Sequence, residues 1–370
     1  MRRVVVKLGS SVVADSDGTL REEVLAGICA ELAALHGSGE EAILVTSGAI
    51  ARGMRVMELA QRPSTIGELQ AASAVGQGKL YRVYDELLRE RNVTSAQVLL
   101  TFFDMSARTH YLNARQTLAT LLEWRVLPVI NENDTTATDE ISFGDNDFLA
   151  AQVAVLIGAD ELILMTDIDG LYTADPRLHP DARIVAEVSD FAALHDLEIG
   201  HTTSPLGSGG MRSKVVAAEM ATAAGIGTRI CNGLSPGTLG AVLAGEARGT
   251  HFPAGEARYS SFKLWLKYAK PARGTLIVDA GAARALRGGA ASLLPVGVTE
   301  VRGEFDAGDA VEIAEHEGAG GAASRPLAKG ICSYSAEELR RVIGMKSEAI
   351  REVLPRGTDE AVHRDYLVLD

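Results

Sequence analysis

Hydrophobic positions fall into two alternating textures along the first two-thirds of the chain. Short β-branched or apolar runs read as buried strands: Arg3–Leu8, Ala42–Thr46, Ala96–Leu100, Val126–Ile130, Glu161–Met165 and Thr228–Cys231. Between them, apolar residues recur three and four positions apart, as in Val24, Leu25, Ile28, Leu32 and Leu35 before the stop at Gly37-Ser38-Gly39. Further helical stretches cover about Ile66–Arg91, Arg108–Trp124, Asp147–Ile157 and Met211–Ala224. Thr19-Leu20-Arg21-Glu22 predicts a capping box, Thr19 capping the first long helix and Glu22 reaching back. Strand followed by helix, repeated this often, predicts an α/β unit: a mostly parallel sheet sandwiched by helices, with ligands beyond the carboxyl ends of the strands.

The alternation fades after Cys231. Residues 1–252 are read as the first domain, 253–273 as a linker and 274–370 as a small β-rich domain with a C-terminal tail. In that last part, short strands (Leu276–Val278, Ala310–Ile313) alternate with glycine turns.

Composition narrows the function classes. The 370 residues are 46% hydrophobic and 23% charged, with a net charge of −13, which argues against a general nucleic-acid or anionic-membrane binder. Cys29, Cys231 and Cys332 are far apart and form no CxxC pair, which points to a reducing compartment and away from a disulfide framework or zinc site. Lys7 interrupts the N-terminal apolar run, so no export signal is expected; with no apolar stretch near 20 residues, no membrane span is expected either. The chain is expected to be cytoplasmic.

Polar, glycine-bearing segments follow the strands or open helices, and would gather on one sheet edge. In Lys7-Leu8-Gly9-Ser10-Ser11 a lysine ends a strand and Gly9 permits close approach of a phosphate; a solvated edge lysine is the plain alternative. Thr46-Ser47-Gly48 ends a strand at a helix entrance, where backbone N–H groups make an anion pocket or Ser47 a simple N-cap. Asn131-Glu132-Asn133-Asp134 and Phe143-Gly144-Asp145-Asn146-Asp147 crowd acids and amides into two loops, suited to Mg²⁺, an amino group, or the orientation of lysines, though Asn, Asp and Gly also make ordinary turns. Gly207-Ser208-Gly209-Gly210-Met211-Arg212-Ser213-Lys214 is a glycine-rich loop running into a helix without the P-loop spacing. A lysine in the first turns of a helix is electrostatically misplaced without an anion, which hints at a phosphate. Thr166-Asp167-Ile168-Asp169-Gly170 follows a strand and could cover a nucleotide base, or be a plain Asp-Gly turn.

Taken together and in this order, VVKLGSS (Val5–Ser11), VTSGAIARG (Val45–Gly53), INEND (Ile130–Asp134), FGDND (Phe143–Asp147), TDIDGLYTADPR (Thr166–Arg177) and GSGGMRSK (Gly207–Lys214) resemble the amino-acid kinase family, and within it the branch that phosphorylates free glutamate. The segment from about Gly274 to Ser347 is similar to a PUA domain. The resemblance implies an amino-acid kinase fold and transfer of phosphate from ATP, with Mg²⁺, to the γ-carboxylate of L-glutamate as the first step of proline biosynthesis. Lys7 and Lys214 would contact the phosphates, and Asp147 would hold the lysines. Ser47, Asp134 and Asn146 would bind glutamate. Thr166 and Asp167, with Ser208, Gly209, Gly210, Met211, Arg212, Ser213 and Lys214, would bind the nucleotide. No metal ligand is assigned to the protein itself. Ser208 and Ser213 replace the usual threonines and keep the hydroxyl. The resemblance further implies feedback inhibition by proline and a homodimer or homotetramer.

Kinases of the same fold acting on N-acetylglutamate, aspartate, carbamate or UMP are the nearest alternatives. A protein binding RNA through the C-terminal domain is the more distant one. Residues 274–370 carry 11 Lys/Arg against 16 Asp/Glu, a net −5, which argues against a phosphate-binding face there.

Overall fold

The β-branched run at the N-terminus forms β1 (Arg3–Leu8), and its period-two alternation decides what lies on either side. Val4, Val6 and Leu8 enter a core shared with Leu25, Ile28, Leu32, Leu80, Tyr84 and Leu88. Lys7 points to the opposite face of the sheet, and that placement makes it available to the site described below. The computed structural model describes residues 1–15, 17–101, 104–105, 108–136, 146–191, 194, 210–256, 261–268, 270, 272–289, 291–315, 325–345, 349–350, 353–354 and 359–369.

After β1 come α1 (Ser10–Val13), α2 (Glu22–Gly37), β2 (Glu41–Val45), α3 (Ala49–Val56), α4 (Ile66–Arg89), β3 (Ser95–Leu100), α5 (Arg108–Glu123) and β4 (Leu127–Glu132). The unit continues with α6 (Asn146–Ile157), β5 (Glu161–Thr166), α7 (Met211–Ala223), β6 (Gly227–Asn232), α8 (Thr238–Leu243) and β7 (Thr250–Phe252). The strands form one seven-stranded sheet in the order β3-β4-β2-β1-β5-β6-β7. All pairings are parallel except β6 with β7. The chain leaves β1 toward β2 on one side and returns to β5 on the other, so the strand order reverses around β1. In open parallel sheets such a reversal opens a crevice at the carboxyl ends.

The chain divides into two compact units, Met1–Arg258 and Tyr259–Asp370. The second contains α9 (Ser261–Tyr268), β8 (Gly274–Val278), α10 (Ala280–Arg287), β9 (Val298–Gly303), β10 (Ala310–Glu315), β11 (Arg325–Cys332), α11 (Ala336–Val342) and β12 (Val362–Leu369). Its five strands run in the order β12-β11-β10-β8-β9 around a core that includes Leu276, Val278, Ile313 and Leu339. Helix α9 lies inside the stretch read from sequence as a linker. It packs on β12, where Phe262 meets Tyr366 edge-on with ring centroids 5.4 Å apart.

The capping box expected at Thr19 is not formed. Helix α2 begins at Glu22 with Arg21 as its N-cap, and no side chain caps it. The Thr19 amide instead donates to Asp15 Oδ1 at 3.0 Å and Asp17 Oδ1 at 2.8 Å. Two aspartates just upstream offer the backbone a tighter local turn than the helix start can. A true capping box sits at α4, between Thr65 and Glu68. The three cysteines are free and buried, and burial pushes the Cys29 and Cys231 thiols up to about 12, so neither is a thiolate at neutral pH. No helix among the described residues is long and apolar enough to cross a membrane.

Helices α3 and α4 cross backbone against backbone. A Cβ on Gly53 would lie 1.8 Å from the Ala72 carbonyl oxygen, and one on Gly76 would lie 1.9 Å from that of Ala49. Only glycine permits this approach. Gly76→Ala should therefore destabilise the first unit by about 3 kcal/mol. Gly78→Ala, two residues on in the same helix with nothing within 4 Å of the new carbon, should add about 0.5–1 kcal/mol. Thermal unfolding of the two variants checks this; equal melting temperatures would remove the close crossing.

Candidate active site

The carboxyl end of β1 delivers Lys7 to the first turn of α6, where Asp147 is fully buried. Lys7 Nζ donates to Asp147 Oδ1 at 2.5 Å. The other carboxylate oxygen accepts from two residues of α7, Ser213 Oγ at 2.8 Å and Lys214 Nζ at 3.1 Å. Lys7 and Lys214 are 3% and 4% exposed, so the cluster of two ammoniums and one carboxylate has almost no water to screen it. Burial would push Asp147 up. The charges of Lys214 and Lys7, with hydrogen bonds from Lys7 and Ser213, outweigh it and hold the carboxyl well below the usual range.

This arrangement answers an oddity of the sequence. Lys214 stands in the first turns of α7, where the helix dipole disfavours a cation. Asp147 is the anion that stabilises it there. Asp147 is itself favourably placed, as an acid in the first turn of α6.

A second group of polar side chains lines a pocket beside the first. Ser10, Ser47, Arg62, Asn131, Asp134 and Asn146 face it, with the turn Gly48–Ala51 as one wall. Gly48 adopts φ 99°, a left-handed conformation, as the N-cap of α3, so Ser47 does not cap the helix with its side chain. Ser47 Oγ instead accepts from Asn146 Nδ2 at 3.1 Å. Asn146 Nδ2 also donates to Asn131 Oδ1 at 2.9 Å, and Asn131 Nδ2 donates to Gln77 Oε1 at 2.5 Å. Asn146 Oδ1 is buried without a hydrogen-bond partner among the described residues. Ser73 Oγ donates to Asp134 Oδ2. Burial raises the Asp134 pKa; the Ser73 hydrogen bond and the Arg62 charge only partly oppose it.

The structure thus brings Lys7, Asp147, Ser213 and Lys214 into one ion cluster, and Ser47, Asp134 and Asn146 around one pocket. Asn146 and Asp147, adjacent in sequence, join the two. Thr166 ends β5, the strand paired with β1, and donates to Asp167 at 3.1 Å; Asp167 is exposed. Gly210 is the N-cap of α7, followed by half-buried Met211 and exposed Arg212. Ser208 and Gly209, with Phe143, Gly144 and Asp145 of the FGDND segment, lie outside the described residues. Sequence reasoning did not single out Ser73, Gln77 or Arg62. Ser73 and Gln77 stand four apart on the face of α4 that also carries Ala72, Gly76 and Leu80, and that spacing was the available signal.

No group of three or more His, Cys, Asp or Glu among the described residues could hold a metal ion. Both Asp147 oxygens already accept from ammonium or hydroxyl donors.

The amino acid kinase family matches residues 2–232, and the PUA domain matches residues 274–354. A protein named glutamate 5-kinase from Meiothermus ruber is 46% identical over 369 residues, covering 100% of this chain and 96% of its own. One of the same name from Ralstonia nicotianae is also 46% identical over 369 residues, covering 100% and 97%. Among solved structures, isopentenyl phosphate kinase aligns with 68% of this chain and 100% of its own at 18% identity and a TM-score of 0.47.

Asp147 carries a pH-dependent share of stability. Its folded pKa lies below its unfolded value of about 3.9, so its contribution is complete above about pH 5 and is lost as pH falls toward the depressed value. Asp147→Asn removes the carboxylate charge on which two buried ammoniums meet and should cost about 3–5 kcal/mol at pH 7. Urea unfolding of both proteins at pH 7 and pH 3.5 should show the gap narrowing at the lower pH. A gap that stays constant would mean that Asp147 is not the ionised partner.

Proposed function

The chain belongs to the amino acid kinase family, and from that premise we propose that it transfers the γ-phosphoryl group of ATP to the side-chain carboxylate of L-glutamate, the activity for which its relatives are named. The observation that carries this reading is the junction at Asn146-Asp147: two buried lysines meet on Asp147, while Asn146 borders a polar pocket next door.

A side-chain carboxylate is ionised at neutral pH and needs no base to become a nucleophile. The barrier is electrostatic, because an anion must approach the phosphorus of a polyanion. One oxygen of the glutamate carboxylate bonds to the γ-phosphorus, the bond to the β–γ bridging oxygen breaks, and ADP leaves with that electron pair. Lys7 and Lys214 neutralise charge on the phosphoryl group in transit, and Asp147 fixes where their ammoniums sit. Asp147 is an organiser and not a base, since its depressed pKa makes it a poor proton acceptor and both its oxygens are occupied. Met211, Arg212 and Ser213, with Gly210, Thr166, Asp167, Ser208 and Gly209, form the nucleotide side. Mg²⁺ would arrive on the ATP phosphates and supply further charge neutralisation there.

On the acceptor side, Asp134 and Asn146 Oδ1 both suit a free ammonium group, and Ser47 and Arg62 suit a carboxylate. An N-acylated substrate would present an amide in place of that cation. The product, an acyl phosphate, would open proline biosynthesis in the cytoplasm. Inhibition by proline at or near the glutamate pocket, and a homodimer or homotetramer, complete the proposal.

Incubation with Mg-ATP, hydroxylamine and, separately, glutamate, N-acetylglutamate and aspartate tests it, with ADP and acyl hydroxamate as readouts. Glutamate alone should give both. Hydroxamate with another acceptor but not glutamate would overturn the substrate assignment, and a folded sample inert with all three would overturn the kinase reading. Lys214→Ala should lower kcat by about 10²–10³-fold with the fold intact. Asp134→Ala should act chiefly by raising the glutamate KM; an effect confined to ATP would move Asp134 out of the acceptor site.

A further inference from the structure

Helix α4 reaches the strand ends around the acceptor pocket through three of its side chains. Ser73 donates to Asp134, Gln77 accepts from Asn131, and the Tyr84 hydroxyl bonds Thr46 Oγ1 at 2.7 Å. Residues four, seven and eleven apart share a helix face, so one rigid element contacts β4, the loop after it and the end of β2. Gln77 is only half-buried and does not itself line the pocket.

We infer that Gln77 is a positioning residue, one that fixes which end of the Asn146 amide faces the acceptor and thereby makes the pocket select a free ammonium group; this rests on the glutamate reading above. A primary amide has a donating and an accepting end of nearly equal size, so its orientation decides what it recognises. Gln77 Oε1 takes a hydrogen of Asn131 Nδ2 at 2.5 Å, which turns Asn131 Oδ1 toward Asn146. That oxygen takes one Asn146 Nδ2 hydrogen at 2.9 Å, and Ser47 Oγ takes the other at 3.1 Å. Both N–H groups of Asn146 are thus committed to protein. Its carbonyl oxygen is left buried and without a partner among the described residues. A buried acceptor in that state costs stability unless a ligand's donor reaches it. An ammonium group supplies that donor, with Asp134 on the same pocket supplying the charge.

Without the acceptor at position 77, Asn131 loses the bond that holds its amide. Asn131 and then Asn146 can reverse, and Asn146 then offers N–H groups where the ammonium should sit. The defect is one of recognition and leaves the ion cluster at Asp147 untouched.

Gln77→Met removes the strong acceptor at nearly constant volume, Gln77→Ala removes it with the least demand on packing, and Gln77→Glu keeps it. For each variant and the wild type, the glutamate KM, the ATP KM, kcat, and the Ki of glutarate against glutamate would be measured. Glutarate has both carboxylates and lacks the ammonium. The Met and Ala variants should raise the glutamate KM by about 10- to 100-fold, with the glutarate Ki and ATP KM within about 2-fold of wild type. Gln77→Glu should stay close to wild type. Parallel losses for glutamate and glutarate, an unchanged glutamate KM in the Met and Ala variants, or a Glu variant as impaired as those two would overturn the inference. A wild type inactive on glutamate would overturn the substrate reading and this inference with it. An active wild type with any of the preceding results would overturn the inference alone.

Discussion

The buried carboxylate of Asp147 is the constraint on which the rest of the first unit depends. Two ammoniums held at 3% and 4% exposure would each be driven to shed a proton or to leave the interior unless an anion met them. Asp147 meets both, through different oxygens, and takes a third hydrogen bond from Ser213. Lys7 comes from a strand and Lys214 from a helix more than 200 residues later, so one carboxylate ties the end of β1 to the start of α7. The result is a buried, charge-dense cluster at the carboxyl end of a parallel sheet, the edge where open sheets of this kind place their ligands.

A second constraint acts through shape. Gly53 and Gly76 let α3 and α4 approach until backbone touches backbone. The approach brings the polar positions of α4 within reach of Asn131, Asp134 and Thr46, which sit at or just after the strand ends. A helix held one side chain's thickness farther away could not make these bonds. Packing of small residues in a place remote from phosphoryl transfer therefore sets the polarity of the acceptor pocket.

Much of this was legible in the sequence, and the losses have physical reasons. The central strands β1, β2, β4 and β5 were readable because their residues are mostly apolar and buried on both faces, a pattern that needs no knowledge of partners. Lys7, Ser47, Asp134, Asn146, Asp147 and Lys214 were readable because each lies where a strand or helix ends beside glycine or asparagine, and the resemblance to a family assigned their roles. The Thr19 capping box failed because propensity at a helix start is a local rule, and Asp15 and Asp17 won the same amide. Ser73 and Gln77 were missed for a different reason. Polar residues in a helix read as its solvated face, and only the α3–α4 crossing turns this face inward. The unfavourable place of Lys214 near a helix N-terminus is legible in the sequence, and the structure shows Asp147 as one anion that meets it there.

These strands of argument meet in the adjacency of Asn146 and Asp147. In the proposed reaction, one residue would turn an acceptor toward the substrate and the next would anchor the cations that face the phosphoryl group. Both belong to the first turn of α6, and a helix fixes the relative direction of neighbouring side chains. The turn therefore fixes the Asn146 amide relative to the carboxylate on which Lys7 and Lys214 meet. In-line transfer between two anions depends on that relative placement more than on either position alone, because the attack distance enters the barrier directly. Placing both functions on one helical turn is thus a mechanical solution to a problem of alignment, and it explains why the ion cluster and the amide relay need no direct bond to each other.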